Sequence, residues 1–95
     1  MDLIVSNLYL GNIEAASNIN LLKRSGVTHV LQVAAGFQPF FPGVTAYGLK
    51  SFKEFKYKVV NVLDMPFENL ARHFPGCLEF IRTAISSGGT VLVHW

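Results

Sequence analysis

The chain has 95 residues, of which 51% are hydrophobic and 15% charged, with a formal net charge of +2 and a mean hydropathy of +0.36. That length makes one domain at most, and a charge so close to neutral gives no footing for a polyanion partner. No apolar run reaches the ~18 residues of a membrane span, and a single cysteine excludes an internal disulfide framework.

The charged fraction is low for a small soluble domain, which ordinarily carries about 25% charged residues. The surplus of apolar side chains predicts surface that another segment or a partner is meant to cover. Asp2 puts an acid where a signal peptide carries basic residues, and a lone Cys77 agrees with a reducing compartment. The expected address is intracellular, cytoplasmic or nuclear, with no membrane contact.

Leu3 to Leu10 is rich in strand formers and stops at Gly11-Asn12, which predicts one or two short strands and a turn. Asn12 is placed to cap a helix with Glu14 in its first turn, and Ala15, Ile19 and Leu22 recur at helical spacing as its inner stripe. Lys23 and Arg24 suit the negative end of that helix, and Gly26 supplies a left-handed stop. Val27 to Ala34 is apolar on both faces, as an interior strand of a covered sheet should be.

Gly36, Pro39, Pro42, Gly43 and Gly48 interrupt any regular element between Ala35 and Ser51, so a long loop is expected there. Lys56 to Leu63 reads as the next strand, ending at Asp64. Asn69 is a candidate cap for a turn over Leu70 to His73. The longest amphipathic pattern follows, with Leu70, Phe74, Cys77, Leu78, Ile81, Ala84 and Ile85 on one stripe and Pro75 as the first residue of the main helix. Gly88-Gly89 ends it, and Val91 to His94 is a last apolar strand. Alternation of strands and helices predicts an α/β sandwich with a largely parallel sheet.

Several blocks of this chain resemble, in order, the dual-specificity protein phosphatases. Val91-Leu92-Val93-His94 is similar to the strand that delivers their nucleophile, where His is followed by Cys. Leu8-Tyr9-Leu10-Gly11-Asn12 resembles their opening strand and turn, and Gly26-Val27-Thr28-His29-Val30-Leu31 their second strand. Tyr57-Lys58-Val59-Val60-Asn61-Val62-Leu63-Asp64 resembles the strand and loop that carry the acid. Asn69-Leu70, His73-Phe74, Phe80-Ile81 and Ala84 look like the helix before the catalytic strand.

The resemblance implies a three-layer phosphotyrosine phosphatase-like α/β sandwich, of which residues 1–95 form the N-terminal part up to the strand before the phosphate-binding loop. It implies hydrolysis of protein phosphate esters by a Cys thiolate, with loop N–H groups and an Arg holding the phosphate and an Asp protonating the leaving oxygen, without metal or cofactor. Transferred residue by residue, it puts Asp64 at the general-acid position, His94 beside the substrate, and Trp95 at the nucleophile's position. An indole cannot replace a thiolate, so the expected form is catalytically silent.

Two readings follow: an inactive member of a phosphatase family, or a non-catalytic binding module that pairs with a full-length phosphatase or with its phosphoprotein substrates. If one face of the sheet is bare, a chaperone or self-association is the further expectation, because four or five wet Leu, Ile, Val or Phe side chains at ~1.5 to 3 kcal/mol each would consume a typical stability of about 5 to 15 kcal/mol.

Blander readings stand beside these. Asp64 at a strand end before Met65-Pro66 is also a natural turn residue. His94 is equally a satisfied strand residue, and Cys77 on the inner stripe reads as a buried, inert thiol. The alternating bases and aromatics from Lys50 to Lys58 suggest nucleic acid less than an edge strand guarded by lysines. His29 and His73 have no partners at metal-ligand spacing.

Overall fold

The computed structural model describes residues 1–34, 52–61, 72 and 74–94. The expected loop from Ala35 to Ser51, the cap at Asn69, and the positions of Asp64, His73 and Trp95 lie outside these residues. Strands β1 (Asp2–Val5) and β2 (Leu8–Gly11) form an antiparallel hairpin, as the first block predicts. Its turn places Asn7 at φ 68°, a left-handed conformation that asparagine tolerates better than most residues.

The next stretch corrects the expectation of one helix over Ala15 to Leu22. There are two, α1 (Ile13–Ala16) and α2 (Ile19–Arg24). Asn12 caps the first, its Oδ1 accepting from the Ala15 N–H at 3.0 Å; Asn18 caps the second, accepting from the Leu21 N–H at 3.1 Å. An asparagine that offers its carbonyl to the backbone competes with continued helix, and the extended geometry at Asn18 shows that the cap wins.

At the end of α2, Gly26 turns left-handed at φ 75°, so that the Val27 N–H reaches the Leu22 carbonyl at 2.9 Å and the Gly26 N–H that of Lys23 at 3.1 Å. Helix α3 (Phe74–Ser86) stops the same way. Gly88 has φ 88°, the Gly89 N–H reaches the Ala84 carbonyl at 2.8 Å, and the Gly88 N–H that of Ile85 at 3.0 Å.

Strands β3 (His29–Ala34), β4 (Lys56–Asn61) and β5 (Val91–His94) complete a five-stranded sheet in the order β1-β2-β5-β3-β4. All neighbours are parallel except β1 and β2. The expected α/β sandwich with a largely parallel sheet is therefore present. Helices lie on both faces. Toward α1 and α2, Leu22, Val27, Val30, Phe55 and Leu92 form one core; toward α3, Leu31, Val60, Ala84 and Val91 form the other. Successive residues of β3 and β5 thus serve opposite cores, which is why both strands read as unbroken apolar runs.

The stripe predicted for α3 is only partly right. Cys77, Phe80, Ile81, Ala84 and Ile85 pack inward, but Leu78 is 65% exposed and Phe74 47%. Leu78 lies one residue, or about 100°, round the helix from Cys77. Gly76, about 100° the other way, sits beside the Lys58 side chain of edge strand β4. Leu78 is therefore turned away from the Lys58 flank and lies largely in solvent. Helix α3 itself packs on β3 and β5. The floor beside it, made of Leu8, Leu10 and Val93 with Val5 at the rim, is half-buried or exposed. Among the described residues, part of one face is thus an open apolar trough, narrower than the bare face that the resemblance suggested.

Among the described residues no helix is long and apolar enough to cross a membrane.

Candidate functional site

Because β2, β5 and β3 run in parallel, their carboxyl ends share one edge of the sheet, where open α/β sheets ordinarily bind ligands. In register, Gly11 of β2, His94 of β5 and Gln32 of β3 stand side by side there. Gly11 leads directly into the Asn12 cap of α1. A Cβ on Gly11 would lie 3.0 Å from Leu92 Cδ1 and 3.2 Å from Ala15 Cβ, so glycine lets α1 close down on β5.

His94 is the one predicted site residue that the structure describes. It is 2% exposed, its Nδ1 has no hydrogen-bond partner among the described residues, and burial pushes its pKa down to about 4. The imidazole is therefore neutral at neutral pH. Desolvation penalises the imidazolium, and among the described residues no carboxylate offsets it.

Gln32, at 4% exposure, is the buried polar residue that the sequence reading missed. It lies on the same sheet face as His94, since paired residues of neighbouring strands share a face. The available signal was a lone amide inside Val30-Leu31-Gln32-Val33: a buried amide is costly unless hydrogen-bonded, so its placement opposite a strand-end histidine is informative. Together the two side chains offer uncharged donors and acceptors at the strand ends. They can orient backbone; the amide is not a nucleophile, and the imidazole, though neutral, is 2% exposed and so closed to a substrate. A shallow open depression of about 290 Å³, lined by Met1, Asp2, Leu10, Gly11 and Asn12, lies alongside.

The structure does not bring Asp64 or Trp95 together with His94, as both lie outside the described residues. Cys77 is half-buried on α3, against the broad face of the sheet and away from the strand ends. His29 stands at the opposite end of β3, paired with Val91, where Thr28 Oγ1 lies 2.7 Å from its Nδ1 and Phe80 meets the ring edge-on. Desolvation, and then Lys56, lower its pKa.

The run of bases and aromatics resolves as an edge strand and its approach. Phe55 is buried, Phe52 and Tyr57 pack on the same core, and Lys53 and Lys56 point outward. The aromatic faces are spent on the core, so they are not free to stack on bases. Among the described residues no three His, Cys, Asp or Glu side chains gather as metal ligands.

No protein-family model matches the chain. It is 45% identical over 92 residues to dual specificity protein phosphatase 1 of Arabidopsis thaliana, a match that covers 97% of this chain and 41% of that protein. A crystal structure of DUSP15 superposes with a TM-score of 0.77 at 29% identity, covering 99% of this chain and 53% of that one. The human tyrosine phosphatase-like serine/threonine/tyrosine-interacting protein gives a TM-score of 0.76 at 31% identity, covering 99% and 60%. The chain spans less than half the length of the first curated relatives it matches, with 41%, 35% and 48% of each covered. Agreement in sequence over nearly the whole chain, with a fold that superposes on solved members, makes these 95 residues a relative of the dual specificity protein phosphatases.

Proposed function

We propose that this chain is a phosphatase-related module that does not hydrolyse phosphate esters. The observation that carries this reading is residue 95. Central strand β5 ends on His94, and the following residue, at the position that the resemblance gives to the nucleophile, is Trp95. An indole N–H is a donor only and cannot form the bond to phosphorus that a thiolate forms. Without that first step, an acid at Asp64 has no leaving oxygen to protonate. Cys77, the single cysteine of these 95 residues, packs half-buried under α3 against the broad face of the sheet, among Leu31, Val60 and Val91, and not at the end of β5.

Incubation of the purified protein with an aryl phosphate, a phosphotyrosine peptide and a phosphothreonine peptide tests the proposal. No release of phosphate above buffer is expected. Release that disappears in Asp64→Asn, or in Cys77→Ser, would overturn it.

The trough beside α3 favours a second reading, a binding module that docks a full-length phosphatase or its phosphoprotein substrates. Exposed Leu78 and Val5, with half-buried Leu8, Leu10 and Val93 on the same side of the sheet as α3, leave apolar surface of the kind found at interaction sites. One structural relative is named as phosphatase-like and interacting, which fits such a role. Titration with a full-length relative should give a complex of defined stoichiometry that Leu78→Lys weakens; aggregation without a defined complex would count against it.

A further inference from the structure

The two ends of the described sheet differ in kind. At one end β4 carries Lys56 and Lys58, basic side chains that discourage another strand from adding on. At the other end β1, Asp2-Leu3-Ile4-Val5, has no lysine, no proline and, among the described residues, no covering element; its pairing with β2 shifts register between Leu3 and Val5, and its three apolar residues are 60%, 54% and 57% exposed. They are not confined to one side. Leu3 stands opposite Tyr9 on the α1 and α2 face, whereas Val5 stands opposite Leu8 on the α3 face.

An occupant must therefore supply a strand with open backbone groups and apolar side chains on both faces. A peptide that reads only one face would leave the other wet. We propose that the occupant is a second copy of this chain: β1 pairs antiparallel with the β1 of its partner about a two-fold axis, giving one sheet that runs through both copies.

Charge selects this arrangement. Asp2 is the single charged side chain of the strand and lies at one end of it. Antiparallel self-pairing sends the two carboxylates to opposite ends of the ribbon, whereas parallel pairing would set them side by side, which is destabilising. The other route, β1 against a neighbour's β4, would lay Lys56 and Lys58 along Leu3, Ile4 and Val5 and would propagate without closing. A two-fold contact closes at two copies. The inference rests on the sheet edge alone, and so stands or falls separately from the absence of catalysis.

Sedimentation equilibrium of the full 95-residue chain across a concentration series tests it, with Ile4→Lys as the edge variant and Leu78→Lys as the trough variant. A reversible dimer is expected for the unchanged protein and for Leu78→Lys, and a monomer for Ile4→Lys with unchanged circular dichroism. In a Cys77→Ser background, Ile4→Cys should oxidise to a covalent dimer and Leu78→Cys should not. A monomer throughout, a dimer that survives Ile4→Lys, one lost only in Leu78→Lys, or open-ended growth dependent on Lys56 would each overturn the proposal. Should Ile4→Lys fail to fold, the cysteine cross-link decides the matter: its absence under oxidation overturns the pairing.

Discussion

Acid should unfold this protein through His94. Burial holds the ring's pKa at about 4, against 6.5 for a free histidine, so between those values the unfolded chain takes up a proton that the folded chain refuses. Stability is complete above about pH 6.5 and falls as pH drops toward 4, because the unfolded state binds more protons throughout that window. The gap corresponds to about 3 kcal/mol, a large share of a typical margin of about 5 to 15 kcal/mol. Replacing the ring by a neutral one of similar size, His94→Phe, removes the proton site and also a buried Nδ1 that has no partner among the described residues.

Urea unfolding of both proteins, followed by far-ultraviolet circular dichroism in small steps from neutral pH to about pH 4, should give a steep decline for the parent and a shallower one for the variant. The exposed pair Glu79–Arg82, 2.6 Å apart, lowers the pKa of the Glu79 carboxyl, and that contribution is common to both proteins and cancels in the difference. His29, also lowered by desolvation and then by Lys56, cancels likewise. Parallel declines, or a His94 ring resonance titrating near 6.5, would refute the reasoning.

Other substitutions test the construction of the fold. Asn18→Ala should cost about 1 kcal/mol by removing the second cap, and the helical signal of residues 19–24 should weaken with it. Gly89→Ala should destabilise by about 1 to 3 kcal/mol in thermal unfolding, since its Cβ would meet Thr28 Oγ1 at 2.5 Å and the Ala84 carbonyl oxygen at 2.9 Å, the latter being backbone. Gly88→Ala meets no atom but must adopt φ 88°, so a cost of about 1 kcal/mol is expected from conformation alone. Leu92→Ala, at a fully buried position in the central strand, should cost about 2 to 5 kcal/mol by chemical denaturation.

The sequence is most readable where local chemistry and burial agree. Asn12 before Glu14, Gly26 after Lys23-Arg24, and Gly88 after the α3 pattern all mark real helix ends, because caps and left-handed stops act within a few residues. Val27 to Ala34 and Val91 to His94 read as interior strands because both of their faces are covered. The break at Asn18 was hidden, since Ala15, Ile19 and Leu22 keep helical spacing across it while the cap depends on one side-chain hydrogen bond. Leu78 was misplaced because periodicity gives the width of an apolar stripe but not which flank meets another element. At the site, the strand-end position of His94 was legible from its strand; its neighbour Gln32 was not, since pairing between residues 32 and 94 is a property of sheet order.

The sheet order also dictates when this protein can fold. Strand β5 is the last described strand in the chain but sits in the middle of the sheet, and it is tied to its neighbours by contacts such as Thr90 to Asn7 and Thr90 to Thr28, 83 and 62 residues apart. Until it emerges from the ribosome, the β1-β2 hairpin and the β3-β4 pair have no strand to join them, and each waits with an inner edge exposed. Nascent chains of this kind are open to wrong pairing until that strand is made, and they become cooperative only when the keystone arrives.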